Sequence, residues 1–168
     1  MDEQKLIELI NNEDKLNERI NFYLNKGILV KQEVIESEIL GHIEKAEHNV
    51  SFVAEVLEDY SDWAVVGCYY ASYHIALALA LKKGFSSKNH DATLCILIKY
   101  YNKSLSEEDL ELLNKIYLSN QDILFYAHSK EEREKASYST QINFDNQSVS
   151  ELRKKTLTFV NKCKEILK

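Results

Sequence analysis

The chain has 168 residues, a formal net charge of −6 and 45% hydrophobic residues, which fits one globular domain and excludes a disordered chain. The acidic balance argues against nucleic-acid binding by the whole surface, but it does not exclude a local basic cleft. Proline is absent and glycine occurs only 4 times, so few residues break helices and we expect long ones.

The spacing of apolar residues predicts helices from the first residues onward. Residues 1–30 form an N-terminal helical extension, which stops at Gly27, and residues 31–168 form a bundle. The second helix covers about residues 35–57, where apolar side chains recur three and four positions apart.

The third helix is the most apolar segment of the chain and ends at Gly84. The fourth covers about residues 91–101, and Asp91 is favourable in its first turn. The candidate N-caps of these two helices are, respectively, Ser61 or Asp62 and Ser87 or Asn89.

Two S-x-x-D/E patterns predict the starts of the last helices. Ser106 and Asp109 resemble a capping box for the fifth helix, and Ser148 and Glu151 resemble one for the final helix. Polar residues dominate 136–147, where we expect a loop. Together these elements predict an all-α fold, an up-and-down helical bundle of five or six helices in a single domain, 1–168.

The third helix is nearly as long and apolar as a membrane span over residues 63–81. We expect no membrane segment, because tyrosines and His74 lie at its centre, where hydrocarbon disfavours polar groups. The N-terminus is acidic and lacks the features of a signal peptide, so we expect a cytoplasmic protein. Three cysteines without a CxxC pair are expected to be buried free thiols in a reducing compartment.

The run DWAVVGCYYASYHIALALALKKGFSSKNHDATL, followed later by YAHSKEEREKASYS, resembles the HEPN superfamily, in particular small archaeal and bacterial members. The shared elements are an aromatic helix, a glycine with a short polar turn, and a later arginine and tyrosine. They are Tyr69, Tyr70, Ala71, Tyr73, His74, Ala76, Leu77, Gly84, Lys88, Asn89, His90, Arg133 and Tyr138. The resemblance covers roughly residues 35–167 and implies an up-and-down bundle that often forms a homodimer.

HEPN proteins include toxins that cut RNA without metal, toxin or antitoxin partners of minimal nucleotidyltransferases, and non-catalytic binders of nucleic acid or nucleotides. The nucleases carry Arg-x(4–6)-His. This chain has three arginines, none followed by histidine at that spacing, and Asp122 and Ile123 stand where His128 would need an arginine. The resemblance therefore favours binding of RNA or nucleotide phosphate. A degenerate metal-independent endoribonuclease and a pure interaction partner of a minimal nucleotidyltransferase are the alternatives.

Tyr70 and His74 are four residues apart and share a helix face. They form either a core pair that satisfies its own polar atoms or a cleft wall on which a base stacks. Lys88, Asn89 and His90 precede the fourth helix, where they either cap it or bind phosphate.

Arg133 lies in the charged run HSKEEREK, with Lys130 one turn before it and Tyr138 after it. This run is either a solvated helix face or the source of a phosphate-binding fork at Arg133. In the enzymatic alternative, His90 or His128 is the base and Arg133 the phosphate clamp.

The sequence predicts neither a metal nor a cofactor. His42 and His48 are six residues apart, which is the wrong spacing for a shared metal on one helix. No Walker loop, G-x-G-x-x-G or H-E-x-x-H occurs. The basic residues of the last helix are expected to form a solvated face rather than a nucleic-acid surface, because no aromatic residues alternate with them.

Overall fold

The computed structural model describes the backbone of residues 1–128 and 146–168, and the side chains of residues 1–117 and 146–168. Seven α-helices and two short strands occur in these ranges. The helices are α1 Glu3–Asn11, α2 Glu13–Asn25, α3 Glu36–Val56, α4 Ser61–Lys82, α5 His90–Tyr101, α6 Glu107–His128 and α7 Asn146–Leu167. The strands are β1 Leu29–Lys31 and β2 Phe85–Ser87. The predicted all-α bundle is confirmed.

The helical N-terminal segment differs from the prediction in one respect, because it contains two helices. Asn12 is extended, and its side chain accepts a hydrogen bond from the Lys15 amide at 3.1 Å. It therefore caps α2 and ends α1. Both helices contribute to the main core through buried side chains, which are Leu6, Leu9, Leu16, Ile20 and Tyr23.

A small antiparallel sheet, which the sequence did not predict, joins this segment to the rest of the bundle. Leu29 pairs with Ser87 and Lys31 with Phe85. Gly27 and Gly84, both predicted as helix stops, have positive φ angles of 65° and 75° and turn the chain into the two strands. The sheet thus fixes the connection after α2 against the connection after α4.

Helix α4 is the centre of the bundle and packs against α3, α5, α6 and α7. By length and composition it is the one helix in the described ranges that is apolar enough to cross a membrane. However, 78% of its most apolar window is buried inside the protein, as expected for the central helix of a bundle. The three cysteines are buried and free, as predicted.

The predicted caps have mixed outcomes. The Asn89 side chain accepts a hydrogen bond from the Ala92 amide at 3.0 Å, and Ser106 and Asp109 bond reciprocally, so both of these caps are confirmed.

The expected cap at Ser61 or Asp62 is wrong, because Tyr60 is the N-cap residue of α4 and makes no side-chain cap bond. The box at Ser148 is also wrong as a helix start, since α7 already begins at Asn146. Of the expected loop, residues 136–145 lie outside the described residues.

Candidate functional site

The surface along the antiparallel pair α3 and α4 combines aromatic rings, imidazoles and a lysine. We call it the α3–α4 seam, and its residues are His42, Lys45 and Phe52 from α3 and Trp63, Tyr70 and His74 from α4. Trp63, Tyr70 and His74 are spaced by seven and four residues, so they follow one face of α4. The exposed fractions of Trp63, Tyr70 and Phe52 are 55%, 38% and 38%.

A glycine brings the two helices of the seam close together. A Cβ atom at Gly67 would lie 2.5 Å from Val53 Cγ2 and 3.2 Å from Phe52 Cδ1. Glycine therefore permits a contact between α3 and α4 that an alanine would obstruct. This contact fixes the register in which the α3 side chains meet those of α4.

In that register, His42 and His74 form a direct contact between the helices. Their Nδ1 atoms are 2.9 Å apart, so one ring donates a hydrogen bond and the other accepts it. Burial lowers the pKa of both rings, and His42 and Lys45 add to the effect at His74, whose pKa falls to about 4. Both imidazoles are therefore neutral at pH 7.

Tyr70 lies against His74, as the sequence spacing predicted. The ring centroids are 6.3 Å apart and the planes differ by 28°. Tyr70 also makes an edge contact with Tyr69, at 5.0 Å between centroids. Because Tyr70 remains partly exposed, this pair lines a surface instead of filling the core, and its outer face is accessible to a planar ligand.

His90 has a very different environment. Its side chain is only 3% exposed and is surrounded by Tyr69, Tyr73 and Tyr117. Burial lowers its pKa to about 3, and the opposing effect of the neighbouring Asp91 carboxylate is smaller. Neither ring nitrogen has a hydrogen-bond partner among the described residues. Among these residues the ring is enclosed and not presented to a ligand in solvent.

The three predicted residues at the start of α5, Lys88, Asn89 and His90, do not converge on one surface. Lys88 is exposed, the Asn89 side chain is engaged in the helix cap, and His90 is buried. In addition, the amino group of Met1 lies 3.0 Å from Asp91 Oδ1 in the first turn of α5. The geometry here is that of a capped helix start, which was one of the two interpretations of the sequence.

Lys130, Arg133 and Tyr138 lie outside the described residues, as does the side chain of His128. The structure therefore does not bear on the proposed phosphate fork or on the base assigned to His128.

A separate groove, of about 600 Å³, lies between α6 and α7. Its charges are mixed: Lys115, Lys154 and Lys155 face the same groove as Glu108, Asp109 and Glu111. Further along α7, Lys162 pairs with Asp109, and Lys164 pairs with Glu47. Such alternation of sign favours neither anions nor cations.

The sequence interpretation considered His42 only as a metal ligand paired with His48, and it did not include Lys45. The sequence of α3 alone does not mark His42 as a site residue, because its partner His74 is on α4. The one useful indication is Gly67, a small residue in an apolar helix, which marks where a neighbouring helix approaches. Within the described residues, no group of three or more His, Cys, Asp or Glu side chains is arranged as a metal site.

Comparison with known proteins adds no assignment to this geometry: no protein-family model matches the chain, and no curated protein matches it.

Proposed function

We propose that the chain is a HEPN-like helical module that binds single-stranded RNA, or nucleotides of the same chemistry, through the α3–α4 seam. The observation that carries the proposal is the exposure of Trp63 and Tyr70 on the same face of α4 as His74. Exposed rings of this kind stack on unpaired bases in RNA-binding proteins. Lys45, which lies close enough to lower the pKa of both seam histidines, supplies the positive charge for a phosphate.

The spacing of Trp63 and Tyr70 favours an RNA strand whose bases are unstacked over one whose bases are stacked on each other. Seven residues of α-helix separate Trp63 from Tyr70 and correspond to a rise of about 10 Å. Consecutive stacked bases are only about 3.4 Å apart, so one base on each ring requires an unstacked strand between them. Unpaired loops and ends of RNA meet this requirement.

The charge of the seam predicts weak, salt-sensitive binding. Both histidines are neutral at pH 7, which leaves Lys45 as the cation among the seam residues. Few phosphates are then neutralised, and the acidic protein as a whole repels RNA. Stacking therefore provides most of the affinity, and we expect little dependence on base sequence.

Fluorescence tests this proposal directly, because Trp63 is the only tryptophan in the chain. Titration with a short oligouridine should quench its emission. Tyr70→Ala should weaken binding about 5-fold or more, as expected for one lost base–aromatic stack. Tyr100→Ala is the matched control, since Tyr100 is an exposed tyrosine on α5 outside the seam. Unquenched emission together with unchanged anisotropy of labelled RNA at high protein concentration would refute the proposal.

The remaining expectations rest on the resemblance alone and stay predictions. They are a homodimer, a toxin–antitoxin or defence setting, and a minimal nucleotidyltransferase as partner. The cytoplasmic location, inferred from the N-terminal sequence, also stays a prediction. The endoribonuclease alternative is tested by incubating total RNA with the protein and a chelator. Its described candidate base, His90, is buried and holds a pKa of about 3, which is unsuited to deprotonating a ribose hydroxyl in solvent.

A further inference from the structure

We propose that His42 and His74 together bind a divalent first-row transition ion such as Zn²⁺, which bridges α3 and α4. The inference rests on the direct approach of the two Nδ1 atoms from different helices. It goes beyond the proposed RNA binding and does not depend on it. The sequence predicted no metal, because it was considered along single helices only.

The distance between the two Nδ1 atoms is close to the distance between two nitrogens that bind the same zinc ion. Two Zn–N bonds at a tetrahedral angle hold their nitrogens about 3.3 Å apart. The observed separation is 2.9 Å, with ring centroids at 5.1 Å and an angle of 35° between the planes. A small rotation of the two side chains therefore admits an ion between them, without movement of either helix.

The protonation of the pair also suits a metal. Imidazole binds zinc, copper and nickel through the lone pair of a neutral ring. His42 and His74 are both half-buried, and the ring that donates the hydrogen bond would shift its proton from Nδ1 to Nε2, which frees the Nδ1 lone pair without release of a proton. The ion would replace the single hydrogen bond between the rings by two coordinate bonds, one to each Nδ1.

The remaining ligands would be waters, because the described residues supply no third ligating side chain at this place. A surface cavity of about 250 Å³ borders His42 and is also lined by Glu38, Gly41 and Lys45. Glu38, one turn before His42 on α3, accepts a hydrogen bond from Gln32 Nε2 at 2.9 Å, so it would contribute negative charge near the ion rather than a ligand. Two imidazoles and waters are donors that zinc and related ions accept. Lys45 opposes the ion, because its charge lies beside the same ring.

The experiment is a zinc titration of untagged, chelator-treated protein by calorimetry at pH 7.5, without RNA. About one equivalent should bind to the wild type. His42→Gln and His74→Gln should each weaken binding by roughly tenfold or more, since each removes a ligand. His48→Gln is the matched control, because His48 is exposed on α3 and should leave binding unchanged.

A gain of affinity provides a second, independent measurement. Lys45→Gln should tighten zinc binding, because it removes the repelling charge and leaves both ligands in place. Circular dichroism of each variant confirms that the helices are intact. Wild-type affinity in both ligand variants, or the absence of stoichiometric zinc binding to the wild type, would overturn the proposal. The RNA titration is unaffected by either result, so the two proposals fail separately.

Discussion

His90 stacks face to face on Tyr117, with ring centroids 4.0 Å apart and planes that differ by only 5°. The contact buries an imidazole whose two nitrogens have no hydrogen-bond partner in the part of the chain that the structure describes. The core therefore retains the stacking of an aromatic ring and bears the cost of two desolvated polar atoms.

Replacing His90 by phenylalanine should stabilise the protein. The substitution keeps a flat ring against Tyr117 and removes the unsatisfied nitrogens, whose burial costs about 1–3 kcal/mol. Urea denaturation at pH 7 measures the effect on the free energy of unfolding. His48→Gln, on the exposed face of α3, should leave stability unchanged. A clear loss of stability in His90→Phe would mean that the imidazole makes an interaction that phenylalanine cannot replace.

The same residue should make the stability depend on pH. The pKa of His90 falls from the ordinary value of 6.5 to about 3 in the folded state, so the unfolded chain binds the additional proton between these values. Stability is therefore complete above pH 6.5 and decreases by about 1.4 kcal/mol per pH unit below it. His42 and His74 act in the same direction, because burial lowers their pKa values as well. Denaturation at a series of pH values between 7 and 4 gives the free energy of unfolding at each pH. This free energy should decrease less steeply with falling pH for His90→Phe than for the wild type.

Gly67→Ala should destabilise the pair α3 and α4. The added methyl group meets Val53 Cγ2 at 2.5 Å, and such overpacking of a core costs about 1–3 kcal/mol. Gly41→Ala is a close control, since Gly41 is also in a helix interior but its Cβ would meet nothing within 4 Å. There the alanine should stabilise α3 by about 0.5–1 kcal/mol. Thermal melts that shift in the same direction for both variants would contradict the packing described for Gly67.

The three cysteines should resist modification in the native protein. All are buried, and burial raises the pKa of the Cys68 thiol to about 11, that of Cys95 to about 12 and that of Cys163 further still. Thiolates, which are the reactive form, are therefore scarce at pH 8. A thiol-reactive dye should label the protein only after denaturant is added. Rapid labelling of the native protein would show that one of these helices opens locally.

Local signals in the sequence predicted most of the bundle. The Ser106–Asp109 pair was recognised as a cap, and Asn89 as one of two candidate caps beside Ser87, because such hydrogen bonds involve only residues three positions away. Gly27 and Gly84 were recognised as stops because few other residues adopt a positive φ. Interactions of this kind are visible in a short window of sequence.

Features that depend on distant partners were missed. Strands β1 and β2 have three residues each, too few to show an alternating pattern, and they exist because they pair with each other. The contact of His42 with His74 likewise depends on the register of two helices, which the spacing along either helix does not contain. The predicted neighbours Lys88 and His90 are two residues apart, but they have opposite exposure because Lys88 lies in the connection after β2, whereas His90 is the first residue of α5 and is buried in the bundle.

The pairing of β1 with β2 has a consequence for the order in which the protein acquires its fold during synthesis. Helices α1 and α2 leave the ribosome before α5, against which both pack, and β1 leaves it before the strand with which it pairs. The apolar faces that pack against α5 therefore stay uncovered until α5 has been made. The early product is a segment with exposed leucine faces, and this is the stage at which a chaperone that covers amphipathic helices would have most effect on the yield of folded protein.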